Sequence, residues 1–245
     1  MQTNIYFKPI QNWDNKTWLS SKKYIKSFNK FLVKQGKLNK TSKVVDVGCG
    51  RGKICGSLFS KLNLKNKPLG LDIISHKDRD KRINFKKVDA LTFFKKNNNT
   101  FDLILIKQTI HLFRINEIKK LLFLCNKRLS KRGKIFVLSL DSYRNEIPTF
   151  SSMDRRLKVS FSKDKKIINL ISKLYPKKII KKFSFNVKMP KKKYLNMIKN
   201  RYISILLKFS PKKILDGVRE IDLEYKKILR FKDKLQCIII NKIPT

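Results

Sequence analysis

The sequence predicts an α/β domain in which helices cover both faces of a mostly parallel sheet. Between residues 43 and 140, short apolar runs alternate with segments of helical periodicity. Strands and helices that alternate in this way form parallel sheets buried on both faces. A helical segment precedes this core, and helices and alternating strands follow it. Because the 245 residues contain no glycine-rich or serine-rich linker, we expect a single domain spanning residues 1–245.

Residues 1–42 are predicted to form a helical preamble. The segment "WLSSKKYIKSFNKFLVKQG" has apolar residues at helical spacing, and Gly36 is a typical helix end. The apolar positions are Tyr24, Ile25, Phe28, Phe31 and Leu32. This pattern predicts an amphipathic helix.

Residues 43–140 are predicted to form the core of the sheet. The strand candidates are "KVVDVG", "PLGLD", "INFKKVD", "FDLILIK" and "KIFVLSL". The segments "GKICGSLFSKL" and "NEIKKLLFLCNKRL" have helical periodicity. Gly133 falls between the second helix and the strand that follows, where a C-terminal helix cap is expected.

Residues 141–245 are predicted to supply the substrate-side helices and the closing strands. The segment "SKDKKIINLISKLY" has helical spacing, whereas "KFSFNVKM" alternates as a strand does. Two further helices are expected over about 190–208 and 211–229. The second of them has Ser210 as its N-cap and Pro211 as its first residue. The segment "KLQCIIINK" is predicted to be the last strand.

The chain is strongly basic, with 60 Lys and Arg against 17 Asp and Glu, a net charge of +43. Such a charge attracts polyanions, so non-specific attraction of nucleic acid is expected. The composition has a second explanation, because 48 of the basic residues are Lys and Ala90 is the only alanine. An AT-rich genome produces this bias regardless of function, and the lysines are spread along the chain. We favour codon bias.

The cysteines and histidines do not indicate a metal site. Cys49, Cys55, Cys125 and Cys237 form no C-x-x-C pair, and His76 and His111 are the only histidines. A zinc site is therefore not expected, and the cysteines are interpreted as reduced. The apolar runs are too short to span a membrane, and the N-terminus lacks a signal pattern. We expect a cytoplasmic protein, monomeric or dimeric, with no membrane partner.

Three glycines follow the first predicted strand in "KVVDVGCGRGK". The dinucleotide fingerprint requires a third glycine three residues after the second, but here Lys53 has that place. A Walker loop does not fit either, because the residues after Gly52 and Lys53 differ from its pattern. The glycines let the backbone approach a ligand closely, and the helix that follows directs its amide groups toward an anion.

The pattern D-x-G-x-G-x-G that begins at Asp46 resembles the first motif of class I S-adenosylmethionine-dependent methyltransferases. Asp72 ends the second strand, where this family binds the ribose hydroxyls. Asp89 ends the third, where it places a polar residue near the adenine amine. The resemblance covers about residues 43–140. It implies a Rossmann-like sheet of seven strands whose last strand, "KLQCIIINK", runs antiparallel between "GKIFVLSL" and "KFSFNVKM".

The resemblance also implies the cofactor, S-adenosyl-L-methionine, and the residues that bind it. The predicted cofactor-binding residues are Asp46, Gly48, Cys49, Gly50, Gly52, Asp72, Ile73, Asp89, Ala90 and Lys107.

The segment "KQTIHLF" follows the fourth strand and places Lys107, Gln108 and His111 where the family's substrate-facing residues lie. His111 is a candidate general base, with a structural histidine at a helix start as the alternative. Lys107 faces cofactor or substrate in this interpretation, and a solvated strand-end lysine is the alternative.

The C-terminal part is similar to trans-aconitate methyltransferase-like proteins, which implies that Arg201, Tyr202 and Ser204 face the substrate. An arginine is suited to bind a carboxylate with two hydrogen bonds, although a surface arginine is an equal alternative. The predicted catalytic residues are His111, Arg201 and Tyr202. Trp13, Trp18 and Tyr143 are candidates for a lid or for simple core packing, and core packing is favoured for Trp18.

Three functions are compatible with these patterns. The first is a methyltransferase for a small anionic metabolite, with O-methylation of a carboxylate favoured because an ionised acceptor needs no strong base. The second is an RNA methyltransferase that exploits the positive charge, although no RNA-binding module is recognisable. The third is a non-catalytic module that keeps the cofactor-binding fold.

Overall fold

The computed structural model describes residues 17–143 and 145–243. Within them lies a seven-stranded sheet in the order β3-β2-β1-β4-β5-β7-β6. The strands are β1 Val44–Val47, β2 Leu69–Asp72, β3 Asn84–Lys87, β4 Phe101–Lys107, β5 Leu129–Leu140, β6 Ile179–Pro190 and β7 Ile228–Asn241. The helices are α1 Lys22–Gly36, α2 Lys53–Leu62, α3 Ala90–Lys96, α4 Ile115–Lys127, α5 Ser151–Leu174, α6 Lys191–Lys199 and α7 Pro211–Glu224.

The topology confirms the predicted fold. Strands β1 to β5 run parallel, and β7 lies between β5 and β6 and runs antiparallel to both. The long register of β7 with β6, from Pro190 opposite Ile228 to Ile179 opposite Ile239, carries the sheet beyond the ends of the parallel strands. The C-terminal ends of β1, β2 and β4 therefore form one edge, where open α/β sheets bind ligands.

Alternating residues of the central strands face two separate cores. On one face, Val44, Leu103 and Leu105 pack with helix α1 and with residues of α2, α6 and α7. On the other face, Val45 and Ile104 pack with residues of α3, α4 and the C-terminal half of α5. Both faces are thus covered by helices, as the alternation of strands and helices predicted.

Helix α1 begins at Lys22, four residues into the predicted helical segment, because the Ser21 side chain caps it by accepting a hydrogen bond from the backbone N–H of Tyr24. The helix ends at Gly36, and Lys37 adopts the left-handed conformation that terminates it. The predicted apolar face is buried, with Tyr24 and Phe28 fully inaccessible. Trp13 lies outside the described residues.

Several predicted boundaries were wrong. Gly133 does not cap helix α4, which ends at Lys127; strand β5 has already begun at Leu129, and Gly133 is one of its buried residues. An added Cβ at Gly133 would lie 2.5 Å from the carbonyl oxygen of Phe101, so the glycine allows close strand contact.

The helix predicted over about 190–208 ends much earlier. Helix α6 stops at Lys199, Arg201 has a left-handed φ of 52°, and a short 3-10 helix covers Ser204–Lys208. Helix α7 starts as predicted, with Ser210 as N-cap accepting a hydrogen bond from the Lys213 N–H, but it ends at Glu224 instead of near residue 229, because β7 begins at Ile228. The helical periodicity continued through 190–208 and gave no sign of the turn, because a left-handed arginine has no sequence signature comparable to glycine.

The described residues contain no helix that combines the length and the apolar character needed to cross a membrane.

Candidate active site

The glycine loop follows β1 and has the backbone conformation that its composition predicts. Gly48, Gly50 and Gly52 have φ values of 70°, 54° and 68°, in the left-handed region that favours glycine. The N–H groups of Gly48 and Cys49 both donate to the carbonyl of Leu71, which anchors the loop to the end of β2. An added Cβ at Gly50 would meet no atom within 4 Å, so the backbone there faces open space.

Asp72 lies at the end of β2, as predicted, and contacts the glycine loop directly. Its Oδ2 accepts a hydrogen bond of 2.8 Å from the Gly50 N–H, and its Oδ1 accepts one from the Ile74 N–H. These bonds fix the plane of the carboxylate beside the loop. Ile73, the next residue, is 65% exposed, which is unusual for a large apolar side chain and leaves a free apolar surface beside the acid.

Asp46 is buried at the carboxyl end of β1, beneath the loop. Burial raises the pKa of its carboxyl to about 7, although the Cys55 thiol, which donates to Oδ2, and the Lys107 ammonium both oppose the rise. The carboxyl is therefore partly protonated near neutral pH. Cys49 is half-buried in the same loop, and burial raises the pKa of its thiol, so this cysteine is not a reactive thiolate.

The loop that follows β2 is tied to the glycine loop through Arg51. This arginine is 2% exposed, and its Nε lies 2.8 Å from both carboxylate oxygens of Asp78. Its carbonyl accepts a hydrogen bond from the Asp80 N–H. Arg51 was not predicted as a positioning residue, although its place inside the glycine motif was an available signal.

Asp89 and Ala90 lie at the start of α3, after β3. Asp89 is exposed and acts as the N-cap of the helix, with Oδ1 accepting a hydrogen bond from the Thr92 N–H at 3.0 Å. Ala90 is buried beneath it. Capping the helix occupies Asp89 Oδ1 and leaves Oδ2 available to a ligand.

These residues fit S-adenosylmethionine. The glycine loop leaves open space next to its backbone, Asp72 offers a carboxylate at the end of β2, and exposed Ile73 offers an apolar surface next to that carboxylate. The donor set therefore matches a ligand with an amino-acid end, vicinal hydroxyls and a flat apolar ring. The detailed role of each residue toward the cofactor stays a prediction.

Lys107 ends β4 and lies beside the glycine loop, because Ile106 pairs with Val47 and the next residue along β1 is Gly48. Its ammonium lies over the rings of Tyr24 and Phe28, 5.7 and 5.6 Å from their centroids, and donates a hydrogen bond of 3.0 Å to Gln108 Oε1. Burial lowers the pKa of Lys107, and the charges of Asp233 and Asp46 oppose this. The lysine is not a freely solvated strand-end residue.

Gln108 has a left-handed φ of 52° immediately after β4. Its N–H donates to the carbonyl of Leu138 at 2.7 Å, which holds the strained residue in place. Such backbone strain is found mainly where a side chain must be aimed at a site.

Asp233 is a site residue that the sequence analysis missed. It lies on β7, is 1% exposed, and its Oδ2 accepts a hydrogen bond of 3.0 Å from Trp18 Nε1. Burial raises its pKa, while the Trp18 hydrogen bond and the Lys107 charge oppose the rise. A signal was present, because Leu229, Phe231 and Leu235 alternate as inward-facing residues and Asp233 occupies the same face.

Trp18 and Tyr24 bring the N-terminal segment over this acid. Trp18 packs edge-on against Tyr202 and Phe231, with ring centroids 5.5 and 5.1 Å apart. Burial raises the pKa of Tyr24, and the charge of Asp233 raises it further. The ring contacts of Trp18 are those of a core residue, as the sequence favoured. Its hydrogen bond to Asp233 is an additional polar contact.

His111 lies in a short 3-10 helix, Ile110–Leu112, between β4 and α4, and its carbonyl accepts a hydrogen bond from Lys163 Nζ. Burial lowers the pKa of its imidazole, and the nearby charge of Lys163 lowers it further. The ring is therefore neutral near pH 7, as a general base must be. Its role as a base stays a prediction.

The structure places Arg201 in a supporting position. Its Nη1 donates to the carbonyls of Leu206 and Phe209, both at 2.6 Å, and so ties the turn after α6 to the end of the following 3-10 helix. Tyr202 is buried, and its hydroxyl lies 2.9 Å from that of Tyr194. Roles for both residues toward the substrate stay predictions.

Ser204 begins the 3-10 helix after Arg201 and is exposed. Tyr143 is 69% exposed, with the Lys165 ammonium 4.4 Å from its ring centroid, so it is not part of the core. Its role as a lid remains a prediction.

Comparison with known proteins agrees with this architecture. Residues 38–201, more than half of the chain, match the family model described as a methyltransferase domain. None of the curated proteins matches the sequence.

Several solved structures have the same fold. An S-adenosylmethionine-dependent methyltransferase from Archaeoglobus fulgidus is 17% identical, with 89% of this chain and 94% of that one covered and a TM-score of 0.52. The YcgJ protein from Bacillus subtilis is 14% identical, with 89% and 98% covered and a TM-score of 0.55. The plantazolicin methyltransferase BpumL, solved with a monoazolic desmethylPZN analog and SAH, is 17% identical, with 95% and 88% covered and a TM-score of 0.53.

These identities establish the shared fold, and the family match establishes the class of enzyme. The predicted methyltransferase is therefore confirmed, and so, at the level of the family, is its cofactor S-adenosylmethionine. The similarity of the C-terminal part to trans-aconitate methyltransferase-like proteins stays a prediction. The chain belongs to the methyltransferase domain family.

Proposed function

We propose that this enzyme methylates an oxygen of a small anionic metabolite, with a carboxylate as the favoured acceptor. The observation that supports the proposal is the environment of Lys107. Its ammonium is half-buried beside the glycine loop and lies over two aromatic rings, and the charges of Asp233 and Asp46 oppose the lowering of its pKa by burial. A positive charge in low-dielectric surroundings attracts an anion more strongly than a solvated lysine does.

S-adenosylmethionine, when bound, supplies a methyl group on a sulfonium sulfur. The residues of the chain then have to hold the acceptor oxygen in line with that methyl group, and orientation alone can contribute about 7–11 kcal/mol to catalysis. Lys107 would hold one oxygen of an acceptor carboxylate while the other attacks. Because a carboxylate is already ionised, no proton has to be removed, and His111 is then not required as a base.

The enclosed character of this region favours a small acceptor. Trp18, Tyr24 and Tyr202 are all buried close to Asp233, and Trp18 donates a hydrogen bond to it. A base presented by a folded RNA would need a more open approach.

The distribution of charge also favours a metabolite over RNA. Exposed lysines occur on α1, α6 and α7, which cover one face of the sheet, and on α3 and α4, which cover the other. This scatter is the pattern expected of composition rather than of a dedicated nucleic-acid surface. RNA attraction is then non-specific and strongly dependent on salt.

The test is methyl transfer from labelled S-adenosylmethionine to a panel of small carboxylic acids and, separately, to total RNA. We expect the label to enter an organic extract and to be released from it by mild base, because mild base hydrolyses a methyl ester. The Lys107→Met variant is expected to lose more than tenfold in kcat/KM for the acid. Its affinity for S-adenosylhomocysteine, measured by calorimetry, should change less.

Base-stable label found only in RNA would contradict the proposal. Failure of the wild-type protein to bind S-adenosylhomocysteine would instead support the third hypothesis, a non-catalytic module.

A further inference from the structure

Two buried polar groups next to Lys107 lack the hydrogen bonds that buried groups normally have. The Tyr24 hydroxyl is fully buried, and the Asp233 carboxyl lies near enough to raise its pKa, but no hydrogen bond of 3.5 Å or less reaches this hydroxyl within the described part of the chain. Asp233 is equally enclosed, and the one hydrogen bond of such length that reaches it within the described ranges comes from Trp18 to Oδ2. A buried carboxylate can accept several hydrogen bonds and is costly to bury with fewer.

The charges around this position are also incompletely paired. Among the described residues, Asp233 forms no ion pair within 4.0 Å, although Lys107 lies close enough for their charges to influence each other. The lysine ammonium instead lies over the rings of Tyr24 and Phe28 and bonds to Gln108. A polar ligand group near Lys107 and Asp233 would therefore supply the partner that these two charged groups lack.

The surroundings keep water away from this position. Trp18, Tyr202 and Phe231 pack against one another on one side, and Tyr24 and Phe28 stack on the other, with ring centroids 6.1 Å apart. Lys107, by contrast, is half-buried, and its ammonium lies over the rings of Tyr24 and Phe28.

The chemistry of the two groups selects what could bind there. Asp233 accepts hydrogen bonds, and the Tyr24 hydroxyl both donates and accepts. A ligand hydroxyl can donate to the carboxylate and accept from the tyrosine, so a single group completes both. A bare carboxylate would be repelled by Asp233, and an apolar group would leave both unsatisfied.

We propose that Tyr24 and Asp233 are specificity-determining residues that bind a hydroxyl group of the acceptor, next to the carboxylate held by Lys107, so that the substrate is a hydroxy acid. This inference rests on the proposed function and narrows its substrate class. Asp233 accepts a hydrogen bond from the ligand hydroxyl, and Tyr24 donates one to the oxygen of that hydroxyl. The methyl group is transferred to the carboxylate of the ligand.

The experiment compares matched acids that differ only in one hydroxyl. Malate against succinate and salicylate against benzoate are titrated by calorimetry into the full chain saturated with S-adenosylhomocysteine. We expect the hydroxylated member of at least one pair to bind the wild-type protein at least tenfold more tightly. In Asp233→Asn and in Tyr24→Phe this preference should fall to about twofold or less, because each change removes one partner of the hydroxyl.

Tyr194→Phe is the matched control. The Tyr194 hydroxyl belongs to the same aromatic cluster, but it is already bonded to the carbonyl of Pro148 at 2.5 Å and to the Tyr202 hydroxyl. Its removal should leave the preference unchanged. If Asp233→Asn does not fold, Tyr24→Phe, which removes a single atom, carries the test alone.

The outcomes separate this inference from the proposed function. Equal binding of hydroxylated and plain acids, together with methylation of either, would overturn the hydroxyl assignment and leave the anionic acceptor intact. Tighter binding of aspartate than of malate would replace the hydroxyl by an ammonium and also overturn it. If no acid binds or is methylated, both proposals are wrong.

Discussion

The two sides of the active-site edge are assembled in different ways. The predicted cofactor side is built from residues of one continuous stretch, Asp46 to Ala90, which lie at the carboxyl ends of β1, β2 and β3 and in the loops that follow them. The proposed acceptor side combines Trp18, Lys107 and Asp233, which come from the segment before α1, the end of β4 and the middle of β7. The cofactor side is therefore encoded locally, whereas the acceptor side exists only through the tertiary fold.

This difference explains why one side had a recognisable motif and the other did not. A glycine loop has to adopt positive φ angles whatever the acceptor is, and glycine is nearly obligatory there. The acceptor side needs only a carboxylate, a cation and aromatic rings in one place, and many arrangements of sequence can provide them. The predictions below test whether the two sides are separable.

The largest expected effect is that of Gly48→Ala, compared with Gly50→Ala. Both glycines have positive φ, so alanine at either costs about 1–2 kcal/mol of backbone strain. At Gly48 the new Cβ would also lie 2.4 Å from Thr109 Oγ1, whereas at Gly50 it meets nothing within 4 Å. We expect Gly48→Ala to weaken S-adenosylhomocysteine binding about 100-fold and Gly50→Ala about tenfold, measured by calorimetry.

This pair of variants also tests whether the two sides are independent. Thr109 donates a hydrogen bond to the carbonyl of Lys107, so displacing it disturbs the acceptor side as well. Gly48→Ala should therefore lower acceptor affinity too, and Gly50→Ala should not. Equal losses in both variants would mean that the Thr109 contact is unimportant.

A second prediction concerns Asp46 and pH. In the folded protein the Asp46 carboxyl has a pKa of about 7, whereas in an unfolded chain an aspartate has a pKa of about 4. The folded state thus binds more protons in this window, so stability from this group is highest below about pH 4 and falls as pH rises to 7. The fall is at most about 4 kcal/mol, since one pKa unit corresponds to about 1.4 kcal/mol.

The measurement is urea unfolding of the cofactor-free protein between pH 4 and 8, for wild type and Asp46→Asn. The asparagine cannot ionise, so the difference between the two curves isolates Asp46 from other acids with shifted pKa values, such as Asp164. Parallel curves for the two proteins would show that Asp46 titrates normally.

The smallest expected effect is that of Arg201→Lys on the acceptor side. The lysine side chain is one atom shorter than the path to Nη1, the atom that donates to both carbonyls, so we expect a loss of about 1–2 kcal/mol in the free energy of unfolding. If Arg201 only supports the turn, kcat/KM for the acceptor should change less than threefold. A large loss of activity with unchanged stability would instead support the carboxylate-binding role predicted from the sequence.

The fold could be predicted from the sequence almost completely because its elements have strong periodic patterns. The position of "KLQCIIINK" between its two partners came from the family resemblance and is confirmed. The turn at Arg201 and the early start of β5 at Leu129 could not be predicted, since tertiary contacts override the helical spacing and the glycine signal at these places. Local patterns describe an element, and its ends depend on what it packs against.

The site was predictable only where local geometry demands one residue type. Gly48, Gly50 and Asp72 lie where the motif implies. Asp233 was missed because, in a chain with so many charged residues, one acid within a strand is not conspicuous until the inward-facing alternation of β7 is considered. Its partner Trp18 is 215 residues away along the chain, beyond the reach of any pattern in a single sequence.

The interior position of β7 has a consequence for synthesis of the protein. The last strand in the sequence is inserted between β5 and β6, and within the described sheet β6 pairs with no other strand. Domains generally fold as units. A nascent chain therefore cannot complete this sheet until Ile228–Asn241, and with it Asp233, has left the ribosome. Binding of the methyl donor and of the acceptor would both wait for the last strand to be synthesised.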